Sequence, residues 1–216
     1  MADTTTLLTS LRTAHLLPSP IIPPSFTPTY TLTIAFPSLT PQNGALARVS
    51  QVASQPRISM TPISASQASD ADADSTCTFT FMQIDPDAPT PADPKFGYWR
   101  HWIVSGIPYP YPSSTDTSTA TTSAAEDVDI AQTGHTITPY LAPGPKDESG
   151  PHRYLFLLFR ETGGKGLQKE DVGGDEFVDR RSFRAEEVVG GKGLELVGVQ
   201  WMRGVGDGWV EENGEL

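Results

Sequence analysis

The sequence has little cysteine, few basic residues and no long apolar run, and each shortage excludes a class of protein. A single cysteine among 216 residues, Cys77, cannot form an internal disulfide, which excludes a disulfide framework and fits a reducing compartment. Lysine and arginine number 15 against 26 acidic residues, and the net charge of −11 argues against a nucleic acid or an anionic membrane surface as the main partner. No apolar stretch is long enough to cross a bilayer, and the first residues lack the features of a secretory signal. We therefore expect a cytoplasmic protein without a transmembrane segment.

The sequence also lacks two common catalytic signatures. It contains no glycine-rich loop followed by Lys-Ser or Lys-Thr, which argues against a nucleoside triphosphatase. It contains no Gly-x-Ser-x-Gly elbow, and Cys77 lies in a strand-like apolar stretch where a buried small side chain is a more ordinary role than a nucleophile. Nucleophilic catalysis is therefore poorly supported.

What the sequence does contain is a stiff acidic motif at the end of an apolar run. Residues 77–82 are rich in β-branched and aromatic side chains and predict a strand, which should end where Pro86 removes a backbone donor. Asp85 and Asp87 would then sit on a rigid loop at the edge of the sheet. Two readings are open from these residues alone, a preorganised site or a turn whose Asp side chains bond to nearby backbone amides.

The rest of the chain predicts a mainly β protein with a few short helices. Residues 30–36 alternate strictly between apolar and polar, and the second half of residues 150–160 is a continuous apolar run suited to a central strand buried on both faces. Further strands are expected at 57–60, 98–104 and 194–202, and short helices at 6–16 and 182–189. A period of two places Trp99, His101 and Ile103 on one face of their strand.

We expect the chain to be organised as one domain with an N-terminal extension. Residues 1–28 form a helix and a proline-rich arm, which either wraps the domain or binds a partner, and residues 29–203 form the domain. Insertions rich in serine, alanine and aspartate, near 64–75 and 110–133, are expected to be flexible, as is an acidic tail over 204–216.

Two histidines and two carboxylates at predicted strand ends are the titratable groups that chemistry would use. If His101, His152, Asp85 and Asp87 converge, the imidazoles can donate to an anion while a carboxylate behind them fixes their tautomer and raises their pKa. Trp99 and Tyr154 would supply the walls. A metal site of two histidines and Asp85 is arithmetically possible, but we favour the ligand pocket and expect no metal and no cofactor.

Three motifs together resemble those of the phosphatidylethanolamine-binding protein family. They are Asp85-Pro86-Asp87-Ala88-Pro89, then Trp99-x-His101-Trp102, then Gly150-Pro151-His152-Arg153-Tyr154 followed by an apolar strand, in the family's order. The resemblance covers residues 27–202. Within the family it points to the fungal type related to the yeast carboxypeptidase Y inhibitor, because of the N-terminal helix and arm and the ungapped 140–154 segment. The sequence departs from the family at Arg100, where many members have another histidine.

The resemblance implies a large antiparallel sheet packed on a smaller one, with a small anion pocket at one end. The implied pocket residues are Asp85, Asp87, His101, His152 and Tyr154, with walls from Pro86, Pro89, Trp99, Pro143 and Pro145. It also implies a small anionic ligand or phospholipid head group, and a serine carboxypeptidase or a kinase as possible protein partners.

Three functional hypotheses follow. The first is a binding or regulatory protein, not an enzyme, whose pocket accepts a phosphoryl group. The second is a serine carboxypeptidase inhibitor that uses the N-terminal arm. The third is a cofactor-independent lyase, isomerase or cyclase in which Asp85, His101 and His152 are the candidate acid–base residues.

Overall fold

A computed structural model describes residues 4–63, 77–109, 128–162, 166–174 and 176–211. In these ranges the chain forms eight strands and two α-helices: α1 (Thr4–Thr13), β1 (Tyr30–Ala35), β2 (Ala45–Arg48), β3 (Arg57–Pro62), β4 (Thr78–Asp85), β5 (Trp99–Pro108), β6 (His135–Thr138), β7 (His152–Glu161), α2 (Ala185–Lys192) and β8 (Leu194–Val205). The prediction of a mainly β protein with short helices is confirmed. No helix in the described part of the chain is both long and apolar enough to span a membrane.

The strands form a six-stranded sheet and a two-stranded sheet. The larger sheet has the order β2-β8-β7-β4-β5-β6, and β1 pairs with β3 in the smaller one. All pairs are antiparallel except the edge pair of β2 with β8. The predicted large antiparallel sheet packed on a smaller one is therefore confirmed, with one parallel strand added at its edge.

Two hydrophobic cores lie on the two faces of the larger sheet. Strand β7 supplies both, because Phe156 and Leu158 pack towards the smaller sheet while Leu155 and Leu157 pack towards α1 and α2. This is the central strand buried on both faces that the continuous apolar run predicts. Side chains that alternate between two cores fix the register of the sheet, since a slip of one residue would move each side chain to the opposite face.

The helices differ from their predicted bounds at the ends. Helix α1 ends at Thr13 instead of residue 16, and the next residues turn sharply, with His15 at a φ of 54°. Helix α2 continues through Gly190 and Gly191 and stops at Lys192, where Gly193 takes the left-handed conformation at φ 63°. Its amide donates to the Val189 carbonyl, which caps the helix. The helix therefore ends at Gly193, which adopts a positive φ, and not at the two glycines before it.

In the larger sheet, two strands were not predicted and one prediction is wrong. The short edge strands β2 and β6 are too short to show a clear apolar period, so the sequence did not predict them. In β5, the register shifts between the pairs Gln83–Trp102 and Ile84–Arg100, so His101 is an extra residue in a β-bulge. His101 therefore does not share a face with Ile103, which packs in the core next to the helices.

The N-terminal arm wraps the domain. Leu11 of α1 and Leu16, Ile22 and Phe26 of the arm are buried in the core against the larger sheet. The arm prolines alternate with these apolar anchors, and Pro23 and Pro24 are exposed. Of the two readings of this segment, the ordered wrap matches the structure of residues 4–28.

The predicted insertions and tail are partly outside the described residues. Residues 64–76, 110–127 and 212–216 are not described, so their expected flexibility stays a prediction. The end of the second insertion is packed, because the Asp129 carboxylate accepts the amide of Ile58 at 3.0 Å and Ile130 is fully buried. Arg48 donates to the carbonyls of Gly206, Asp207 and Trp209, so the beginning of the tail is held and not loose.

Candidate functional site

The predicted site residues meet because of how three strands are paired. Strand β4 runs antiparallel to both β5 and β7, so its carboxyl end lies beside the amino ends of its two neighbours. Asp85, the last residue of β4, is paired with Trp99, and His152 begins β7. Residues more than 60 positions apart in sequence are thereby brought to one edge of the sheet.

A cavity of about 550 Å³ opens at this edge. Its lining comes from β4, β5, β7 and three loops: Asp85, Ala88, Pro89, Thr90, Trp99, His101, Leu141, Ala142, Gly144, Pro145, Lys146, Glu148, Ser149, His152, Tyr154 and Phe177. Seven of the ten residues predicted to bind a ligand are in this lining. We name this cavity the histidine pocket.

The central contact of the histidine pocket joins Asp85 to His152. Asp85 Oδ2 lies 2.8 Å from His152 Nδ1, and both side chains are buried. The other oxygen, Asp85 Oδ1, accepts the Asp87 amide at 2.6 Å, which fixes the carboxylate. Since Nδ1 donates its hydrogen to the carboxylate, the imidazole presents Nε2 as its second nitrogen. That Nε2 is buried and has no hydrogen-bond partner among the described residues.

His101 is held by a backbone carbonyl instead of a carboxylate. Its Nδ1 lies 2.7 Å from the Leu141 carbonyl oxygen, so Nδ1 carries the hydrogen in the neutral ring. Burial lowers the pKa of His101, and the opposing effect of the Asp85 charge is smaller. The expectation that a carboxylate raises the pKa of both histidines is therefore wrong for His101, because desolvation dominates.

A buried arginine fixes the bulge that carries His101. Arg180 Nη1 donates to the carbonyls of Arg100 and His101, at 3.2 and 3.0 Å, and Nη2 donates to the Pro139 carbonyl at 2.9 Å. Its positive charge also contributes to the lowered pKa of His101. Arg180 lies just before the helix predicted at 182–189, where no element was predicted, and no motif marks it.

Tyr154 lies between the two imidazoles. Its ring centroid is 5.3 Å from that of His101 and 6.3 Å from that of His152. Burial raises the pKa of the Tyr154 phenol well above its usual value, and the charges of Asp85 and Asp87 act in the same direction. The phenol therefore stays protonated and can serve as a hydrogen-bond donor or an uncharged wall.

Asp87, Pro86 and Pro143 are not in the lining of the histidine pocket. The Asp87 carboxylate is directed to Arg153, whose backbone amide donates to Oδ2 at 2.7 Å and whose Nη2 donates to Oδ1 at 2.6 Å. Two acids separated by one proline thus have different partners. The sequence left two hypotheses for the motif, a preorganised site and a turn in which Asp side chains bond to backbone amides. Asp85 fits both, because it contacts His152 and also accepts the Asp87 amide.

Several lining residues were not predicted. Lys146 follows Pro145 directly and is exposed at the rim, where it is 3.8 Å from Glu148. Phe177 is 57% exposed and packs edge-on against Trp99 with centroids 5.0 Å apart. A charged residue after the rigid Pro143–Pro145 turn was a usable signal for Lys146. Nothing in the sequence places Phe177 beside Trp99.

Metal binding was weighed from the sequence, and the geometry gives it no support. In the described ranges, no group of three or more histidine, cysteine, aspartate or glutamate residues is arranged to hold a metal ion.

Comparison with known proteins places these features in a family. The family model described as phosphatidylethanolamine-binding protein matches residues 26–195. A protein of Saccharomyces cerevisiae, uncharacterized protein YLR179C, is 31% identical over 109 residues, which is 50% of this chain and 46% of that protein. The protein SELF-PRUNING of Solanum lycopersicum is 30% identical over 107 residues, 50% of each chain. The chain thus spans about half the length of these curated relatives.

Solved structures agree on the fold. The carboxypeptidase Y inhibitor, in a structure with its cognate proteinase, superposes with a TM-score of 0.72 at 19% identity and covers 96% of this chain and 98% of the inhibitor. The phosphatidylethanolamine-binding protein from Plasmodium vivax gives a TM-score of 0.65 at 20% identity, with 93% and 97% coverage. At these identities the likeness concerns the fold. Since the family model spans most of the sequence, the chain belongs to the phosphatidylethanolamine-binding protein family.

Proposed function

We propose that the histidine pocket binds a small anion that carries a phosphoryl group, and that the protein acts by binding and not by catalysis. The observation that carries this proposal is the buried Nε2 of His152, which has no partner among the described residues and belongs to a ring that Asp85 holds and that lines the same cavity as His101. A buried polar nitrogen without a partner costs free energy, which a ligand oxygen would recover.

The protonation of the pocket determines what it can bind. Both Nδ1 atoms already donate to oxygen, so each Nε2 must take up a proton before it can donate to a ligand oxygen. Phosphoryl groups provide these oxygens, and a monoanion can also bring the proton itself. We therefore expect binding to be accompanied by proton uptake when the ligand is fully ionised.

Lys146 and Tyr154 complete the recognition of such a ligand. The Lys146 ammonium at the rim adds a positive charge, and the protonated Tyr154 phenol adds a neutral donor between the imidazoles. Trp99 and Pro89 form apolar walls, which suit the organic part attached to the phosphoryl group. A phospholipid head group and a phosphorylated small molecule share this chemistry.

The test is an NMR titration of the histidine side chains with phosphoethanolamine. We expect saturable shifts at His101 and His152 and an affinity at least about tenfold lower in His152→Ala, the size expected for one charge-assisted hydrogen bond. His135→Ala is the matched control, because His135 is exposed on β6 and does not line the cavity. Equal affinity in both variants, or no shift at either histidine, would contradict the proposal.

Acid–base catalysis is a second candidate, because the Asp85–His152 contact has the geometry of an oriented general base. A carboxylate at 2.8 Å from Nδ1 holds the ring with Nε2 free, as proton transfer requires. A phosphorylated α-hydroxy ketone incubated in D₂O tests this function. Exchange of its carbon-bound hydrogen that is lost in His152→Gln would favour the enzyme, and absence of exchange alongside binding would favour the binding protein.

Inhibition of a serine carboxypeptidase by the N-terminal arm receives less support. Leu11, Leu16 and Ile22 would have to leave the core for the arm to extend into a protease, at a cost of about 1.5–3 kcal/mol for each side chain. A protease could still contact the exposed side of α1, which carries Arg12. Titration of a serine carboxypeptidase with the intact chain and with Arg12→Glu measures this: inhibition weakened in the variant would support the role.

A further inference from the structure

A second cavity, of about 490 Å³, adjoins Asp87. It lies between the end of α1, the turn before β2 and the ends of β7 and β8, and its lining is Ser10, Thr13, Ala14, Asn43, Gly44, Asp87, Pro91, Pro151, Arg153, Trp201 and Arg203. It shares no lining residue with the histidine pocket. We name it the arginine cavity.

Two arginines stand directly opposite each other in this cavity. Arg153 on β7 is paired with Arg203 on β8, so their side chains lie on the same face of adjacent antiparallel strands. Like charges in this arrangement repel. Asp87 neutralises Arg153 through contacts at 2.6–3.2 Å, and Arg153 also donates to the Ala14 carbonyl.

Among the described residues, the second arginine has no acidic partner. Arg203 Nε donates to the Gly44 carbonyl at 2.9 Å, and this is its only polar contact within the described residues. The two terminal nitrogens of Arg203 therefore have hydrogens available. These nitrogens can donate two parallel hydrogen bonds, the fork geometry in which arginine binds carboxylates and phosphates. In a chain with a net charge of −11, this wall carries one uncompensated positive charge.

The other lining residues are neutral. Ser10 is already satisfied, since its hydroxyl accepts the Trp201 indole hydrogen at 3.0 Å and donates to the Leu7 carbonyl at 2.8 Å. Thr13 and the Asn43 side chain remain as polar groups, and Trp201 and two prolines provide apolar surface. The cavity thus combines the two unengaged terminal nitrogens of Arg203, a few neutral polar groups and apolar walls.

We propose that the arginine cavity binds a small organic carboxylate with an apolar body. A single uncompensated charge matches a monoanion better than a phosphate dianion, because the Asp87–Arg153 pair leaves no second positive charge in this wall. The planar fork of Arg203 fits a carboxylate in two parallel hydrogen bonds, and the indole and prolines would cover the apolar body. This site makes no use of His101 or His152 and is independent of the proposed phosphoryl binding.

Benzoate is a suitable probe, and the indole N–H signal of Trp201 in the NMR spectrum reports on the cavity. We expect a saturable shift of that signal and an affinity about tenfold lower in Arg203→Gln, with an intermediate loss in Arg203→Lys, which keeps the charge but not the fork. Arg12→Gln is the matched control, because it makes the same charge change on an exposed residue outside the lining. His152→Ala should bind benzoate like the unmodified chain.

Three outcomes overturn the proposal: no saturable shift at Trp201, the same affinity in Arg203→Gln as in Arg12→Gln, or binding of inorganic phosphate at Trp201 in preference to benzoate. If Arg203→Gln does not fold, Arg203→Lys carries the comparison, and undiminished benzoate affinity in it contradicts recognition by the fork.

Discussion

The two acids of the Asp-Pro-Asp turn are equally buried and serve different regions of the molecule. Asp85 is 3% exposed and contacts His152 in the histidine pocket, while Asp87 is 1% exposed and is held by Arg153 in the arginine cavity. Pro86 between them fixes the backbone so that the two carboxylates leave the turn in different directions. Similar burial therefore does not mean a similar role.

The partners explain the difference. Arg153 is charged at all ordinary pH values, and its pair with Asp87 joins β7 to the turn. Histidine is the side chain whose charge changes most readily near neutral pH, and two histidines line the histidine pocket. We infer that one cavity has a fixed charge and supports the fold, and that the other has a variable charge suited to binding.

The largest expected effect is on stability, and it should fall on Asp87. Asp87→Asn leaves Arg153 without its counter-charge and should lower the free energy of unfolding by about 3 kcal/mol, the low end for breaking a buried pair because the Arg153 side chain is 31% exposed. Asp85→Asn should cost about 1 kcal/mol, since an amide oxygen can still accept the Asp87 amide. Urea denaturation measures both.

Asp93→Asn is the control for this pair of variants, because Asp93 is an exposed acid whose contact with Lys95 is at the surface. It should change stability little. If Asp85→Asn is the more destabilising of the two buried variants, the assignment of the structural role to Asp87 is wrong.

The second effect is on binding, and it should fall on Asp85. Asp85→Asn removes the negative charge behind His152, so the protonated ring that donates to a phosphoryl oxygen loses its counter-charge. We expect an affinity for phosphoethanolamine about tenfold lower, measured by calorimetry in the folded variant. Benzoate binding in the arginine cavity should be unchanged, and a parallel loss there would show that the two cavities are not independent.

Much of this arrangement was accessible from the sequence, because it rests on local rules. Strand β4 ends directly before Pro86, because proline has no backbone N–H to donate to a neighbouring strand. The apolar run before Arg160 forms the central strand. The three motifs contain seven of the sixteen residues that line the histidine pocket. Their convergence needed only the antiparallel pairing of β4 with β5 and β7.

The parts that were missed depend on contacts between distant segments. The bulge at His101 depends on how β5 pairs with β4, and Arg180 from a later segment donates to its backbone carbonyls. Burial in the finished fold, not the neighbouring residues in sequence, lowers the pKa of His101. For the same reason the motif could not show that Asp87 faces Arg153 and lies outside the histidine pocket.

The smallest expected effect is on the pH dependence of stability. It should come from His101 in the histidine pocket. Burial lowers the pKa of His101 in the folded state, so the unfolded chain binds a proton more readily. Stability should therefore fall as the pH drops through about 6.5, the usual value for histidine. Burial alone would raise the pKa of Glu161, but hydrogen bonds from the Gly106 amide and the hydroxyls of Thr78, Thr80 and Ser105 together outweigh it and lower that pKa from 4.5. Glu161 therefore adds nothing in this window.

Comparing urea midpoints at pH 7.5 and 5.5 tests this sign, with pH values chosen on either side of about 6.5. His101→Gln should lose less stability on acidification than the unmodified chain, because it has no proton to bind at that position. Arg203→Gln should lose as much as the unmodified chain, since this substitution leaves His101 and its surroundings unchanged. A His101→Gln variant with an undiminished loss would mean that the histidine pocket does not control the acid response, and the contrast between a fixed and a variable charge would then concern ligand binding alone.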